Sequence, residues 1–214
     1  AAGRDIRRLV AQASVFPIAE KRNMITRLFS SLGEIGVATV YMMSDGNGIA
    51  DRIRHALETP PPSGQTWPRI VFLDMPIEDR AIDTLIAVEK MVEHGVGGII
   101  VLGGDGTHRL VASRAGDVPI TALSTGTNNV FPAMREATIA GLAAGLVAMG
   151  QVPVAAGAIR NKVLRIDVNG AQTDLALVDL CTSTELWVGS RALWRAEGLD
   201  QLFLSFAEAD AIGL

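Results

Sequence analysis

The sequence predicts an α/β fold with a mainly parallel sheet, followed by a β-rich second domain. Three observations carry this. Short apolar, strand-like runs alternate with amphipathic helical segments as far as Gly150. Two of those runs end in loops of glycine and small polar residues. Beyond Pro153 the pattern changes to residue-by-residue alternation around a hairpin turn signal.

In chain order, Ile6, Leu9 and Val10 recur at helical spacing, and Met24, Ile25, Leu28, Phe29 and Leu32 form one stripe of a helix over Glu20 to Ile35. Gly36 stops that helix, and Val37 to Met43 is a short run rich in strand formers. Ser44 to Gly48 turns the chain into a helix near Ile49 to Leu57. Thr59 to Pro68 holds four prolines and reads as a surface loop. Arg69 to Asp74 is a second strand, Glu78 to His94 a helix, and Gly97 to Leu102 a third strand. A helical segment then runs to about Arg114. Pro119 to Leu123 is the fourth strand, and Glu136 to Gly150 is a helix of small residues able to pack very close to a sheet. Near-continuous apolar strands linked by helices imply parallel pairing with both faces covered.

The second domain starts near residue 156, giving a division into 1–155 and 156–214. Leu164, Ile166 and Val168 alternate with Arg165 and Asp167, Asn169-Gly170 is a strong hairpin signal, and Asp174 to Leu180 is the returning arm. Leu202 to Phe206 reads as a strand with almost nothing after it, so the second domain is expected to be incomplete.

Composition excludes several classes of function. Of 214 residues, 49% are apolar and 20% charged, which suits a globular chain better than a disordered one. No uninterrupted apolar run reaches the roughly 18 residues of a membrane span. A net charge of −4 leaves no basic footprint for nucleic acid. The single Cys181 excludes an internal disulfide, and three His with one Cys argue against a structural zinc site. A cytoplasmic enzyme or binding protein acting on a small molecule or nucleotide is the expectation, and a homo-oligomer is compatible with it.

The informative glycines lie in Gly103-Gly104-Asp105-Gly106-Thr107, directly after a strand and before a helix. In parallel sheets ligands bind at the carboxyl ends of strands. Glycines there let backbone N–H groups approach an oxyanion, and a helix N-terminus adds its dipole. The loop is therefore a candidate phosphate cradle. An acidic residue in such a loop would handle a metal ion, a hydroxyl or a proton, and the alternative is that Asp105 only caps the next helix. Thr125-Gly126-Thr127-Asn128-Asn129 follows the next strand, and its tip falls on the same sheet edge. Its hydroxyls and amides suit a nucleotide's phosphates, ribose or base, or else a cap and turn.

Other candidates are plainer. Gly46-x-Gly48-x-x-Asp51 lacks the third glycine of the dinucleotide fingerprint, and the P-loop pattern is absent. His108 and Arg109 flank the cradle, within reach of phosphate, although the ordinary place for such residues is solvent. His55 and His94 read as surface or cap positions, and Cys181 as a buried inert thiol.

Gly-Gly-Asp-Gly-Thr after a strand resembles the signature of the NAD kinase and diacylglycerol kinase superfamily. Ser124 to Pro132 is similar to the Pro-x-Gly-Thr-x-Asn-Asp-Phe element of its lipid-kinase branch. Val101 to Val111, Leu123 to Pro132 and Glu136 to Gly150 together look closest to the ATP-NAD-kinase-like acetoin catabolism protein X family. The resemblance implies an α/β nucleotide domain and a β-sandwich domain with the active site in the cleft between them. It also implies Mg²⁺-ATP as phosphoryl donor, with Gly103, Gly104, Gly106 and Thr107 around phosphate and Thr127, Asn128 and Asn129 near the nucleotide. In NAD kinases the matching aspartate activates the acceptor's ribose hydroxyl, and in lipid kinases it belongs to the metal and phosphate network; both roles are open for Asp105. The adenine-binding Asn-Glu/Asp element and the later glycine-rich signature of NAD kinases are not found here. Asn128-Asn129 also replaces the Asn-Asp of the lipid branch. Ala1 to Arg4 looks like the tail of a family loop that follows a first strand, implying residues before Ala1.

The leading expectation is an ATP-dependent phosphotransferase acting on a hydroxyl of NAD or another small molecule, with a link to acetoin catabolism. The alternatives are a non-catalytic nucleotide-binding accessory protein and a lipid kinase. A dinucleotide oxidoreductase fails on the fingerprint glycines.

Overall fold

A computed structural model describes residues 16–61, 63–126, 129–185 and 196–205. The expected helical stretch around Ile6 to Val10 lies outside them, as does Phe206.

Helix α1 (Ile18–Glu34) buries Met24, Leu28, Phe29 and Leu32, the stripe its spacing predicts. Its end is a Schellman motif: Gly36 takes φ 86°, its N–H bonds the Gly33 carbonyl, and Val37 N–H bonds the Leu32 carbonyl. Strand β1 (Thr39–Met42) follows, then α2 (Ile49–Leu57). Asp45 caps α2, accepting from Ile49 N at 3.2 Å and Ala50 N at 2.7 Å, which gives the Asp45-Gly46 turn a structural role. Strand β2 (Arg69–Phe72) pairs parallel with β1. Helix α3 (Ala81–Glu93) is entered through the buried Asp83, whose carboxylate accepts from the N–H groups of Glu78 and Arg80.

Strand β3 (Ile99–Gly103), helix α4 (Asp105–Ala112) and strand β4 (Ile120–Ser124) form the next unit, with β3 and β4 parallel and Gly103 opposite Ser124. Both faces of this pair are covered. Ile99 and Val101 pack with Val88 of α3 and Val111 and Ala115 around α4. Ile100, Leu102 and Leu123 pack with Met24 and Leu28 of α1 and with Ala137 and Ala140 of α5 (Ala137–Ala148). Alternate residues of one strand thus serve two layers, as near-continuous apolar strands require. The described parallel strands pair two by two, β1 with β2 and β3 with β4.

The small-residue helix α5 finds its tightest contact on a helix, where the sequence suggested a sheet. A Cβ built on Gly141 would stand 2.0 Å from Ser31 Oγ, and one on Gly145 would stand 2.4 Å from Ile35 Cδ1. The two glycines let α1 and α5 approach backbone to side chain.

After the short helix α6 (Val154–Gly157), all pairing is antiparallel. Strands β5 (Leu164–Val168) and β6 (Ala171–Ala176) form the predicted hairpin, with Asn169 at φ 52° and Gly170 at φ 81° as a two-residue primed turn requires. The returning arm starts at Ala171 and ends at Ala176, earlier than expected. Leu177 and Val178 are buried there, and β7 (Asp179–Ser183) leaves to pair with β8 (Leu199–Leu204). Among the described residues no helix is long and apolar enough to cross a membrane.

Gly141→Ala is expected to destabilise the protein by about 1–2 kcal/mol, the overpacking cost exceeding alanine's gain in helix propensity. Gly106→Ala, where a Cβ meets open space, should be neutral or slightly stabilising. Urea midpoints of the two variants test the contrast.

Candidate functional site

The parallel register of β3 and β4 brings both loops out at one edge. Thr125 N–H bonds the Gly103 carbonyl at 3.1 Å, continuing the pairing one residue past the strands. From there the two loops are joined by side chains.

Asp105 is the first residue of α4, and its carboxylate neither caps that helix nor points to an empty cradle. Oδ2 accepts from Val130 N at 3.0 Å and Oδ1 from Phe131 N at 2.9 Å. Asn129 reaches back the other way, its Oδ1 accepting from Asp105 N at 3.2 Å while its Nδ2 donates to Ser124 Oγ at 2.8 Å. Each loop therefore supplies one side chain that binds the other loop's backbone. Hydrogen bonds to an ionised acceptor are among the stronger ones in proteins, and the two here share one carboxylate.

This clasp changes the reason for the glycines. A Cβ on Gly104 would lie 2.7 Å from Asn129 Oδ1, one on Gly126 2.6 Å from Asn129 Nδ2, and one on Gly103 2.6 Å from Thr107 Cβ. These three positions need glycine so that the loops can close on Asn129 and Thr107. Gly106 alone faces open space, and its N–H, in the first turn of α4, is bonded to no group among the described residues. That N–H and the helix dipole are what the first loop offers an anion. Thr127 and Asn128, the other predicted nucleotide contacts, lie outside the described residues.

Two residues beside the cradle depart from expectation. His108 is fully buried, because α4 turns it inward with Val111 at i+3. Its Nδ1 lies 2.9 Å from the Gly104 carbonyl and its ring rests against Phe131. Burial pushes its pKa below the ordinary value, with the Gly104 carbonyl, the Asp105 charge and the Val101 carbonyl opposing only in part. Arg109 is turned toward the β-rich region and pairs with Asp174 of β6. For Asp174, partial burial acts to raise the pKa, but the Leu175 N–H and Arg109 outweigh it and hold the carboxyl low.

Among the described residues, His108 Nε2 and Thr125 Oγ1 are buried without a partner. His55 contacts Glu58 at the surface, His94 stacks on Tyr41, and Cys181 is half-buried in β7. Cavities of about 380 and 560 Å³ lie beside Tyr41 and His94 and beside Arg27 and Trp67. Neither is lined by a described residue of the 103–107 or 125–129 loop. No group of three or more His, Cys, Asp or Glu stands together among the described residues.

The strand–loop–helix geometry agrees with what the comparisons find. The family description "ATP-NAD kinase N-terminal domain" matches residues 11–152. The chain belongs to the ATP-NAD kinase family. Residues 162–214 match "Acetoin catabolism protein X C-terminal domain". Acetoin catabolism protein X of Cupriavidus necator is 46% identical over 217 residues, covering 99% of this chain and 60% of that protein. The chain thus spans about three fifths of that relative's length. No solved structure matches it.

Asn129→Ala should remove about 1–3 kcal/mol of stability, since it strands Ser124 and the Asp105 N–H together; chemical denaturation measures this. A second outcome concerns pH. The depressed pKa of His108 means that the unfolded chain binds more protons just below pH 6.5, so stability falls as pH drops through and below that value. Between pH 8 and 5 the melting temperature of the wild type should fall relative to that of His108→Phe.

Proposed function

We propose that this member of the ATP-NAD kinase family is a phosphotransferase. It would move the terminal phosphoryl group of Mg²⁺-ATP to a hydroxyl of NAD or another small molecule. The observation that carries this reading is the pair of loops locked side by side at the carboxyl edge of β3 and β4, with Gly106 N–H left open at a helix N-terminus. Phosphoryl transfer asks for positioning and charge stabilisation more than covalent chemistry, and a rigid two-loop platform supplies positioning.

In this reading Gly103, Gly104, Gly106 and Thr107 surround the phosphates, and Thr125, Gly126, Thr127, Asn128 and Asn129 lie along the nucleotide. Asp105 is the catalytic group. Each of its oxygens accepts one backbone N–H and keeps a second lone pair for the acceptor hydroxyl or the cation. The hydroxyl oxygen bonds to phosphorus as the bond to the ADP oxygen breaks, and the hydroxyl proton leaves toward Asp105. One carboxylate plus the nucleotide's own phosphates is a donor set that suits Mg²⁺, which usually keeps several waters. When bound, that ion would offset charge on the phosphates. A cytoplasmic location belongs to this reading, and the link to acetoin catabolism rests on the name of the similar Cupriavidus necator protein.

A specific observation favours a second reading. Both oxygens of Asp105 already hold the loops together, as they would in a nucleotide-binding accessory protein that performs no transfer.

The deciding measurement is NADP formation by the full-length protein with ATP, Mg²⁺ and NAD, beside Asp105→Asn. The expected result is NADP from the wild type and a loss of about 10²- to 10⁴-fold in turnover in the variant, larger than its loss of ATP affinity. Saturable ATP binding by the wild type with no phosphate transferred to any acceptor supports the accessory reading. Phosphate in an organic-extractable product identifies a lipid acceptor instead.

A further inference from the structure

We propose that His108 is a positioning residue for the cradle: its Nδ1–H holds the Gly104 carbonyl inward and so aims the Gly104–Asp105 peptide and the Asp105 carboxylate. This deepens the reading of the two loops as a phosphate site and rests on it where nucleotide binding is concerned.

The Gly104 carbonyl receives three donors. Thr107 N lies at 3.0 Å, His108 N at 3.1 Å and His108 Nδ1 at 2.9 Å. A carbonyl oxygen only accepts, so Nδ1 carries the proton in this contact. In a trans peptide the N–H points opposite to the C=O. Holding the Gly104 carbonyl toward the ring therefore sends Asp105 N–H outward, to the Asn129 side chain at 3.2 Å. On its other side the ring lies against Phe131, 5.9 Å between centroids, and the Phe131 N–H is one of the two donors gripping Asp105. One buried imidazole thus touches the clasp at both ends.

Packing alone gives no reason for histidine here. The ring is fully buried, and its Nε2 has no partner among the described residues, a defect that phenylalanine or leucine would avoid. What histidine adds over those residues is the Nδ1 donor, directed at the peptide that begins the cradle.

Three variants separate the donor from the volume. His108→Phe fills the space without a donor. His108→Asn places an amide N–H near the Nδ1 position but leaves a gap. His108→Gln moves the donor toward the Nε2 position. The readouts are hydrogen exchange of the Asp105, Val130 and Phe131 amides, thermal stability, and Mg²⁺-ATP affinity by calorimetry.

The expected result is about tenfold faster exchange of the three amides and about tenfold weaker ATP binding in His108→Phe, without a matching fall in melting temperature. His108→Asn should recover most of both losses although it melts lower, and His108→Gln should not. Equal behaviour of the Phe and Asn variants, or unchanged exchange in His108→Phe, overturns the proposal. So does a nitrogen-15 spectrum placing the His108 proton on Nε2. If the wild type binds no ATP, the phosphate-site reading fails, and the exchange contrast still decides whether His108 positions the loop.

Discussion

The carboxylate of Asp105 leaves its own helix and closes on the N–H groups of Val130 and Phe131, and the spacing of the two loops follows from that crossing. Without it, the segment after β4 would carry two backbone donors needing other partners. The glycines are subordinate to this arrangement. Gly104 and Gly126 stand on either side of the Asn129 side chain and must lack a Cβ for it to fit. A Gly-Gly-Asp-Gly-Thr segment invites the reading that glycine makes room for a ligand. Here it makes room first for the other loop, and the space left over, at Gly106, is what a ligand can use.

Much of the architecture was legible because it depends on local periodicity. The stripe from Met24 to Leu32, the alternation in β5, and the demand for two positive φ values at Asn169-Gly170 are properties of neighbouring residues. Both loops were also legible, since each directly follows an apolar strand. What joins them was not. Asp105 and the two N–H groups that donate to it are 25 and 26 residues apart, and Arg109 and Asp174 are 65 apart. No spacing rule reaches that far. His108 is the instructive case: Val111 continues its helical face at i+3, a signal that its side chain turns inward. The close partner of α5 was hidden, since small residues announce a tight contact without saying whether a sheet or a helix makes it.

Asp105 is asked to hold the loops and, in the proposed reaction, to meet a hydroxyl or a cation, and these demands are compatible on electronic grounds. A carboxylate has about four acceptor positions, and two are used. The backbone donors that use them also fix the direction of the other two, so the aspartate's orientation is set before any substrate arrives. Preorganisation of this kind is what a reaction dominated by positioning needs. The arrangement makes Asp105→Asn more than a charge change, because an amide keeps one acceptor oxygen and turns a donor toward a backbone N–H. Structural and chemical losses therefore have to be separated by measuring binding beside turnover.

The pair between Arg109 and Asp174 extends the same logic outward, with a different strength. Arg109 lies one helical turn beyond Asp105, so the β5–β6 hairpin is tied to the helix that carries the cradle. The two side chains are 37% and 51% exposed, and an exposed ion pair contributes at most about 1 kcal/mol. The clasp between the loops is part-buried and its backbone donors would lack partners if it broke, whereas the link to the hairpin can be exchanged for water at small cost. The structure thus combines a part-buried clasp between the two loops with an exposed ion pair to the hairpin.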